Sequence, residues 1–365
     1  MPGISELSIE KVNLKLTRPY TIAFRTVERV ENAIVRIKLD NGIVGHGSGN
    51  PSPKVVGEEL SQTMIALQMV LSNGVIDGWQ GLLGRNIEDI ELLCNEIQKN
   101  LNHSPTARAA LEIALYDCLA QCKNVPLAGL LGQKIKSMPT SITIGIKDIE
   151  ETLEEAWEYF NRGFRYLKVK LGNHLQQDIE KVLKLREQFG NKVIIRVDAN
   201  QGYTVQELKE FYQRTKTSDV ELIEQPFPAT HIEHMRSLSM EIRQMLAADE
   251  SLINPDDARN LIGEDLACGI FNIKLMKCGG ITKAREISDI AERNQVDLMW
   301  GCNDESVISI TAALHTALAC RNTRYLDLDG SLDLAEDVVS GGFTMENGEM
   351  SINGRPGLGL SENGI

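Results

Sequence analysis

The chain has 365 residues, 42% of them hydrophobic and 24% charged, which is typical of a globular protein with a sizeable core. Its 51 acidic residues against 38 basic ones give a formal charge of −13, and this surplus disfavours nucleic acid as a partner because phosphate binding needs a basic surface. No apolar run approaches the roughly 20 residues of a membrane-spanning helix, and the seven cysteines form no CxxC pair, so we expect a cytoplasmic protein that binds no membrane.

The N-terminal third of the chain predicts strands followed by helices. Polar and apolar residues alternate from the start to about residue 50, and Asp40-Asn41-Gly42 joins two apolar runs as a hairpin turn does. The period then becomes helical, most clearly over 104–123, where Ser104 is a natural N-cap and Pro105 a natural first helical residue. We expect a small α+β domain here.

Short β-branched runs alternate with amphipathic helices from about residue 139 onward. Eight runs are strand candidates: TSITIGI, FRYLKVKLG, KVIIRVDAN, VELIEQPF, MLAADES, IFNIKLMKCGG, VDLMWGC and TRYLDLDG. Eight βα units in series favour a closed (β/α)8 barrel over an open sheet. We therefore predict an α/β protein with a TIM barrel over residues 131–340 and an N-terminal α+β capping domain over 1–130, completed by a tail at about 341–365.

Polar residues follow these strands at nearly constant spacing. Separations of 24 to 29 residues, or one βα unit, connect Lys170, Asp198, Glu224, Asp249, Lys274, Asn303 and Asp327. Because the carboxyl ends of barrel strands meet on one face, we expect these side chains to be neighbours. A single acidic residue at a strand end is more often a helix cap or a solvated loop residue, but the whole set favours a functional site.

Three successive strands end in the carboxylates Asp198, Glu224 and Asp249. Converging carboxylates repel one another unless a cation lies between them, and oxygen ligands on rigid strands suit Mg²⁺. Lys168 and Lys170 share one face of a strand at a distance of about 6.6 Å. Their mutual repulsion would favour a neutral lysine, which can act as a general base.

A second acidic pair, Asp327 and Asp329, lies two residues apart on the eighth strand candidate. Two adjacent carboxylates pointing inward form an anionic pocket that suits an ammonium group. A second metal and a cap for the helix that follows are the alternatives.

The motifs KVK, VDAN, IEQP, ADES and IKLMKCGG, in this order, resemble the enolase superfamily, in the subgroup that includes muconate cycloisomerase. The segment ALYDCLAQCKNVPLAGLLG is also similar to that family's capping domain, so the resemblance covers nearly the whole chain and implies an enolase-like barrel. Within the subgroup, the Lys-x-Lys, the lysine of the sixth strand and the Asp-x-Asp of the eighth together resemble the dipeptide epimerases.

This resemblance implies a Mg²⁺-dependent epimerase that inverts the α-carbon of the C-terminal residue of a small dipeptide through an enolate. The implied roles are metal ligands for Asp198, Glu224 and Asp249, proton transfer on opposite faces for Lys170 and Lys274, tuning of Lys170 by Lys168, ammonium binding for Asp327 and Asp329, and contact with an acidic side chain for Arg25. The alternative on the same fold is an o-succinylbenzoate synthase, N-acylamino acid racemase or cycloisomerase, which needs no ammonium pocket.

Two positions depart from the pattern of the family. Asn303 stands where Ala-Glu epimerases commonly carry Met, and the first loop reads GHGSGNP where relatives often have Glu after the second glycine. Both positions line the specificity side, so the preferred dipeptide stays open, as does the expected homo-oligomer. A lyase that forms a Schiff base on Lys170 or Lys274 and a non-catalytic binding protein are the remaining hypotheses.

Overall fold

A computed structural model of the chain describes residues 2–22, 25–53, 55–71 and 79–363, with no side-chain description within 19–26. The N-terminal part is an antiparallel sheet in the order β1-β2-β3, with helices packed against it. Its strands are β1 (Ile4–Ile22), β2 (Arg25–Leu39) and β3 (Val44–Gly49), and its helices are α1 (Leu60–Leu71), α2 (Ile90–Asn100), α3 (Pro105–Cys122) and α4 (Leu127–Leu131).

The predicted hairpin turn is confirmed between β2 and β3. Gly42 has φ +89°, and Leu39 N donates to Ile43 O at 2.8 Å. The glycine-rich strand β3 then packs directly on α3. A Cβ at Gly47 would lie 1.9 Å from Ala110 O, so the run GHGSG serves close packing between the strand and the helix.

Helix α3 begins at Pro105, as its sequence predicts, but Ser104 does not cap it. The Ser104 hydroxyl donates to the carboxylate of Glu58, and the other oxygen of Glu58 accepts from Thr106 N at 3.1 Å. A buried carboxylate from a distant segment therefore takes the capping role that local sequence assigned to Ser104.

The C-terminal part contains a parallel barrel of eight strands, as predicted, preceded by β4 (Ser137–Pro139). The barrel strands are β5 (Ile142–Ile144), β6 (Tyr166–Lys170), β7 (Ile194–Asp198), β8 (Val220–Glu224), β9 (Leu246–Ala248), β10 (Ile270–Ile273), β11 (Asp297–Gly301) and β12 (Thr323–Asp327). They are hydrogen-bonded in chain order, and a parallel bridge between Thr140 and Leu326 closes the barrel.

Helices connect successive barrel strands on the outside. They are α5 (Ile149–Asn161), α6 (Leu175–Phe189), α7 (Val205–Thr215), α8 (Ile232–Arg236), α9 (Met240–Met245), α10 (Pro255–Ile262), α11 (Leu275–Cys278), α12 (Ile281–Arg293) and α13 (Val307–Ala319). Reciprocal capping boxes start three of them, at Asp148, Thr204 and Asn254. No helix among the described residues has the length and apolarity needed to cross a bilayer.

The last barrel strand does not lead into an α-helix but into a one-turn 3₁₀ helix, and short strands follow it. These elements are the 3₁₀ helix Gly330–Asp333, β13 (Val339–Gly341), β14 (Phe343–Glu346), β15 (Glu349–Ile352) and β16 (Leu360–Glu362). The C-terminal segment returns to the N-terminal part, where Glu362 pairs with His46 at 2.9 Å and Gly357 O accepts from Leu127 N at 2.8 Å.

The floor of the barrel is filled by side chains that lie one to three residues before the last residue of each strand. An apolar cluster there consists of Leu222, Ala247, Ile270 and Met299, with Tyr325 against it. Arg196 is also buried here, stacked on Tyr325 and donating to Leu326 O at 2.7 Å. The space above this floor, at the carboxyl end of the barrel, holds the polar residues.

Candidate active site

Charged side chains from five neighbouring strands meet at the carboxyl end of the barrel. Lys170 and Asp198 are paired in register at the ends of β6 and β7, and Asp198 is paired in the same way with Glu224 at the end of β8. Asp249 and Lys274 directly follow β9 and β10. Residues spaced by one βα unit in sequence therefore lie around one face.

Lys168 is a buried cation held by three carboxylates. Its Nζ lies 2.7 Å from Glu224 Oε2, 2.7 Å from Asp327 Oδ2 and 3.6 Å from Asp198 Oδ2. Burial opposes the charge, but these carboxylates raise the pKa of Lys168 well above its ordinary value. The repulsion expected from Lys170 therefore does not govern Lys168, because acidic partners from other strands surround it.

Lys170, two residues further along β6, lies nearer the solvent. Its side chain is 39% exposed, and its Nζ is 3.7 Å from Asp198 Oδ2. A molecule bound over the carboxylates can therefore reach Lys170 without breaking a short ion pair.

Lys274 lies on the far side of β7, β8 and β9 from Lys170. Its buried Nζ is 2.8 Å from Asp249 Oδ2. Burial opposes the charge, but Asp249 and Glu224 raise the pKa of Lys274. Gly301 makes room for this side chain, since a Cβ there would lie 2.9 Å from Lys274 Cε.

Asp249 is held by a second lysine, Lys277, which sequence reasoning missed. Lys277 Nζ contacts Asp249 Oδ1 and donates to the carbonyl oxygens of Asp249 and Asn272 at 2.6 and 3.1 Å. Burial opposes ionisation, but Lys274 and Lys277 together hold the pKa of Asp249 far below its ordinary value. The available signal was the motif KLMK, which puts a second lysine three residues after Lys274.

Amide side chains hold the other two carboxylates. Asn200 donates from its backbone N to Asp198 Oδ1 at 3.0 Å and from Nδ2 to Oδ2 at 3.2 Å. Asn272 Nδ2 donates to Glu224 Oε1 at 2.9 Å. Burial raises the pKa of Glu224 to about 8, and the charges of Asp198 and Asp249 act in the same direction, against those of Lys168 and Lys274. Sequence reasoning missed Asn272 too, although it lies two residues before Lys274 and so shares its face of the chain.

The donor set fits a hard divalent cation, although the carboxylates do not form a closed ligand group in this conformation. Across residues 2–22, 25–53, 55–71 and 79–363, no three His, Cys, Asp or Glu side chains stand close enough to hold a metal. Instead, Lys168 and Lys274 neutralise Glu224 and Asp249 at 2.7 and 2.8 Å. Oxygen ligands, one from each of three adjacent rigid strands, suit Mg²⁺, and the lysine pairs mark where positive charge is favourable.

Asp327, the last residue of β12, and Asp329 form a buried acidic pair. Asp327 accepts from Ser141 Oγ at 2.6 Å and is paired with Lys168, while Asp329 Oδ2 accepts from Thr143 N at 2.6 Å. Burial and then the charge of Asp327 raise the pKa of Asp329 to about 7. An ammonium group placed here would favour the ionised form of Asp329.

The two remaining predicted substrate contacts are Asn303 and Arg25. Asn303 follows β11; its backbone N donates to Glu305 Oε1 at 3.0 Å, and its side-chain nitrogen has no hydrogen-bond partner in the described part of the chain. Burial raises the pKa of Glu305, which sequence reasoning missed, to about 7. Arg25 begins β2, but its side chain lies outside the described residues.

Two family models match the chain. Residues 4–132 match the mandelate racemase / muconate lactonizing enzyme N-terminal domain, and residues 151–363 match the enolase C-terminal domain-like family. The chain therefore belongs to the enolase superfamily, in its mandelate racemase and muconate lactonizing enzyme group, and the family expected from the motifs is confirmed.

Similar proteins include several dipeptide epimerases. An L-Lys-D/L-Arg epimerase of Desulforapulum autotrophicum is 49% identical over 357 residues, which are 98% of this chain and 99% of the relative. A hydrophobic dipeptide epimerase of Enterococcus faecalis is 33% identical over 98% of this chain and 99% of its own. A crystal structure of a Methylococcus capsulatus dipeptide epimerase with Mg and the dipeptide L-Arg-D-Lys has a TM-score of 0.92 and 48% identity, covering 98% of this chain and 99% of that one.

Proposed function

We propose that this chain is a Mg²⁺-dependent dipeptide epimerase, an isomerase that inverts the α-carbon of the C-terminal residue of a small dipeptide. The observation that carries this proposal is that Lys170 on β6 and Lys274 after β10 flank the three strands that end in carboxylates. A substrate carboxylate drawn to the metal site would hold its α-carbon between two groups that can carry protons. Relatives that match nearly the whole chain are dipeptide epimerases, one of them crystallised with Mg and a dipeptide.

Proton transfer at the α-carbon uses the two lysines in turn. A neutral lysine on one face removes the proton, the ammonium on the other face delivers one, and the roles exchange in the reverse direction. Mg²⁺ bound by Asp198, Glu224 and Asp249 would supply positive charge that stabilises the enolate form of the substrate. A cation held by Asp249 would weaken the 2.8 Å ion pair of this carboxylate with Lys274, which would then be free to turn to the α-carbon.

Lys168 has a supporting role in this proposal. Its Nζ stays paired with Glu224 and Asp327 at 2.7 Å, and it lies two residues before Lys170 on the same strand. We therefore propose that this fixed positive charge favours the neutral form of Lys170 and so supports its role as a base.

The acidic pair Asp327 and Asp329 would bind the free ammonium group of the dipeptide. The amide nitrogen of Asn303, which has no hydrogen-bond partner among the described residues, would donate to the substrate. An N-acylated substrate carries no such ammonium group. The alternative activities on this fold, o-succinylbenzoate synthase, N-acylamino acid racemase and cycloisomerase, would therefore leave the pair without a use. The variant Asp329→Asn separates them, because Asp329 is bound by Thr143 N and not by Lys168, so only dipeptide turnover should depend on its charge.

We further propose that the preferred dipeptide has basic side chains. The L-Lys-D/L-Arg epimerases at 49% identity support this preference, whereas L-Ala-D/L-Glu epimerases, such as one at 33% identity, support an acidic side chain at Arg25.

A screen of dipeptide pools in D₂O with Mg²⁺, read by mass spectrometry for a gain of about one dalton and repeated with EDTA, tests the proposal. We expect metal-dependent labelling of dipeptides, strongest for those with Lys or Arg. Labelling of N-acyl amino acids without any dipeptide would contradict it and favour the alternative. Borohydride trapping of a carbonyl substrate on Lys170 or Lys274 would instead indicate a Schiff-base lyase.

We also propose how the chain is divided into domains, where it is located and how it assembles. We place the domain boundary near residue 130 and assign the tail 341–365 to the capping domain, supported by the contact of Glu362 with His46. We propose a cytoplasmic location, supported by seven cysteines that are all free thiols. We also propose a homo-oligomer, which light scattering of the purified protein would test.

A further inference from the structure

Lys277 is buried against the candidate metal site, yet the proposed chemistry does not use it. It lies in the short helix α11, three residues after Lys274, and is 1% exposed. Its Nζ contacts one carboxylate oxygen, Asp249 Oδ1, and donates to the carbonyl oxygens of Asp249 and Asn272 at 2.6 and 3.1 Å. Because an ammonium group has three N–H donors, these three acceptors saturate it.

The two lysines on Asp249 are bound in different ways. Lys274 Nζ meets Asp249 Oδ2 at 2.8 Å through a side-chain pair, which can exchange for another cation. Lys277 also donates to two backbone carbonyl oxygens, that of Asp249 directly after β9 and that of Asn272 within β10. These two contacts do not depend on the carboxylate. When Lys274 turns away, Lys277 therefore stays in place, Oδ1 remains held, and Oδ2 is the oxygen left to face a cation.

We propose that Lys277 is the positioning residue of the metal site: by holding Oδ1 of Asp249 it orients Oδ2 toward the bound cation. This inference rests on the proposed function, since it requires that Asp249 bind Mg²⁺. Asn200 and Asn272 donate to the other two carboxylates, Asp198 and Glu224, so each of the three carboxylates has a neighbour that orients it.

Positioning and simple electrostatics predict opposite effects of removing Lys277. Loss of a positive charge beside a cation site would strengthen Mg²⁺ binding by Coulomb's law. Loss of the group that orients a metal ligand weakens binding, typically about 10- to 100-fold. The sign of the change in Mg²⁺ affinity therefore separates the two effects.

The test is isothermal titration calorimetry of the full chain with MgCl₂ and no substrate. Lys277→Met should bind Mg²⁺ about 10- to 100-fold more weakly than the wild type. Lys277→Arg should also bind more weakly, because a planar guanidinium cannot meet three acceptors that converge on one point. The matched control is Lys181→Met, which removes a buried lysine from the outer helix α6 and should leave Mg²⁺ affinity within about twofold.

Unchanged or tighter Mg²⁺ binding by folded Lys277→Met would overturn the proposal and leave the proposed function standing. A wild-type chain that takes up no Mg²⁺ would contradict both together, so the two failures are distinguishable. Circular dichroism and thermal unfolding establish that each variant is folded. If Lys277→Met does not fold, Lys277→Arg carries the test, and failure of both to fold would assign Lys277 to folding and overturn the positioning role.

Discussion

Replacing Asp329 by asparagine removes one charge from the proposed ammonium pocket while keeping the shape of the side chain. Asp329 Oδ2 accepts a 2.6 Å hydrogen bond from Thr143 N, and the amide oxygen of asparagine can accept the same bond. We therefore expect the variant to fold normally. Its defect should be confined to the charge that faces the ammonium group of the substrate.

The expected loss follows from the strength of a hydrogen bond to a charged group, about 1.5–3 kcal/mol. At about 1.4 kcal/mol per tenfold change, kcat/KM for a free-amine dipeptide should fall about 10- to 150-fold near pH 8. In the wild type, burial raises the pKa of Asp329 to about 7. The carboxylate is then about 90% ionised near pH 8 and about 10% ionised near pH 6. Acidification should therefore raise KM in the wild type, and this dependence should be weaker in Asp329→Asn, in which Glu305, whose pKa is also raised to about 7, remains.

The assay is epimerisation of one dipeptide, followed by chiral chromatography between about pH 6 and about pH 8, beside the N-acetylated form of the same dipeptide. The N-acetylated compound has no ammonium group, so both enzymes should turn it over slowly and at similar rates. The reasoning is refuted if the wild-type KM does not change across this range. It is refuted equally if Asp329→Asn matches the wild type on the free amine.

Two further predictions concern catalysis and stability. Lys170→Ala and Lys274→Ala should each slow epimerisation at least about 10²-fold. Each variant should still exchange the α-proton for deuterium in one of the two diastereomers. Loss of exchange in both diastereomers would contradict the proposal that the two lysines act on opposite faces of the α-carbon. His46→Gln should flatten the pH dependence of the free energy of unfolding above about pH 6.5. Burial opposes the charge of His46, but Asp117 and Glu362 raise its pKa in the folded state. The stabilisation from this residue is therefore complete below the pKa of the unfolded state and is lost as the pH rises through the pKa of the folded state. The free energy of unfolding can be measured by urea unfolding at several pH values. An equal change of this free energy with pH in the two proteins would contradict this role.

The barrel could be predicted from sequence because its architecture repeats one unit. Strand, helix and strand-end residue recur together, so a polar residue every 24 to 29 positions marks successive strand ends before any contact is known. The turn at Gly42 was predictable for a similar reason, since a hairpin turn depends on the few residues that form it. Local patterns and their regular repetition along the chain were therefore sufficient to predict the fold and the positions of the main charged groups.

Contacts between distant segments could not be predicted in this way. Ser104 has the residue type of an N-cap, yet Glu58 from another segment takes that role. The sequence predicted that repulsion from Lys170 would dominate the pKa of Lys168, but carboxylates including Asp327 raise it. The sequence around Lys277 does not show that this lysine is buried against Asp249 in the folded chain. In each case the deciding partner lies on another element, and no local pattern records it.

The most direct test of the central claim is proton NMR of one free-amine dipeptide, such as L-Arg-L-Lys, incubated with the protein in D₂O. We expect the α-proton signal of the C-terminal residue to disappear as the second diastereomer forms, with the N-terminal α-proton unchanged and no reaction after EDTA treatment. Exchange at the N-terminal residue, exchange without inversion, or exchange that persists without metal would contradict a two-base epimerase in which Lys170 and Lys274 face each other across the metal-bound substrate.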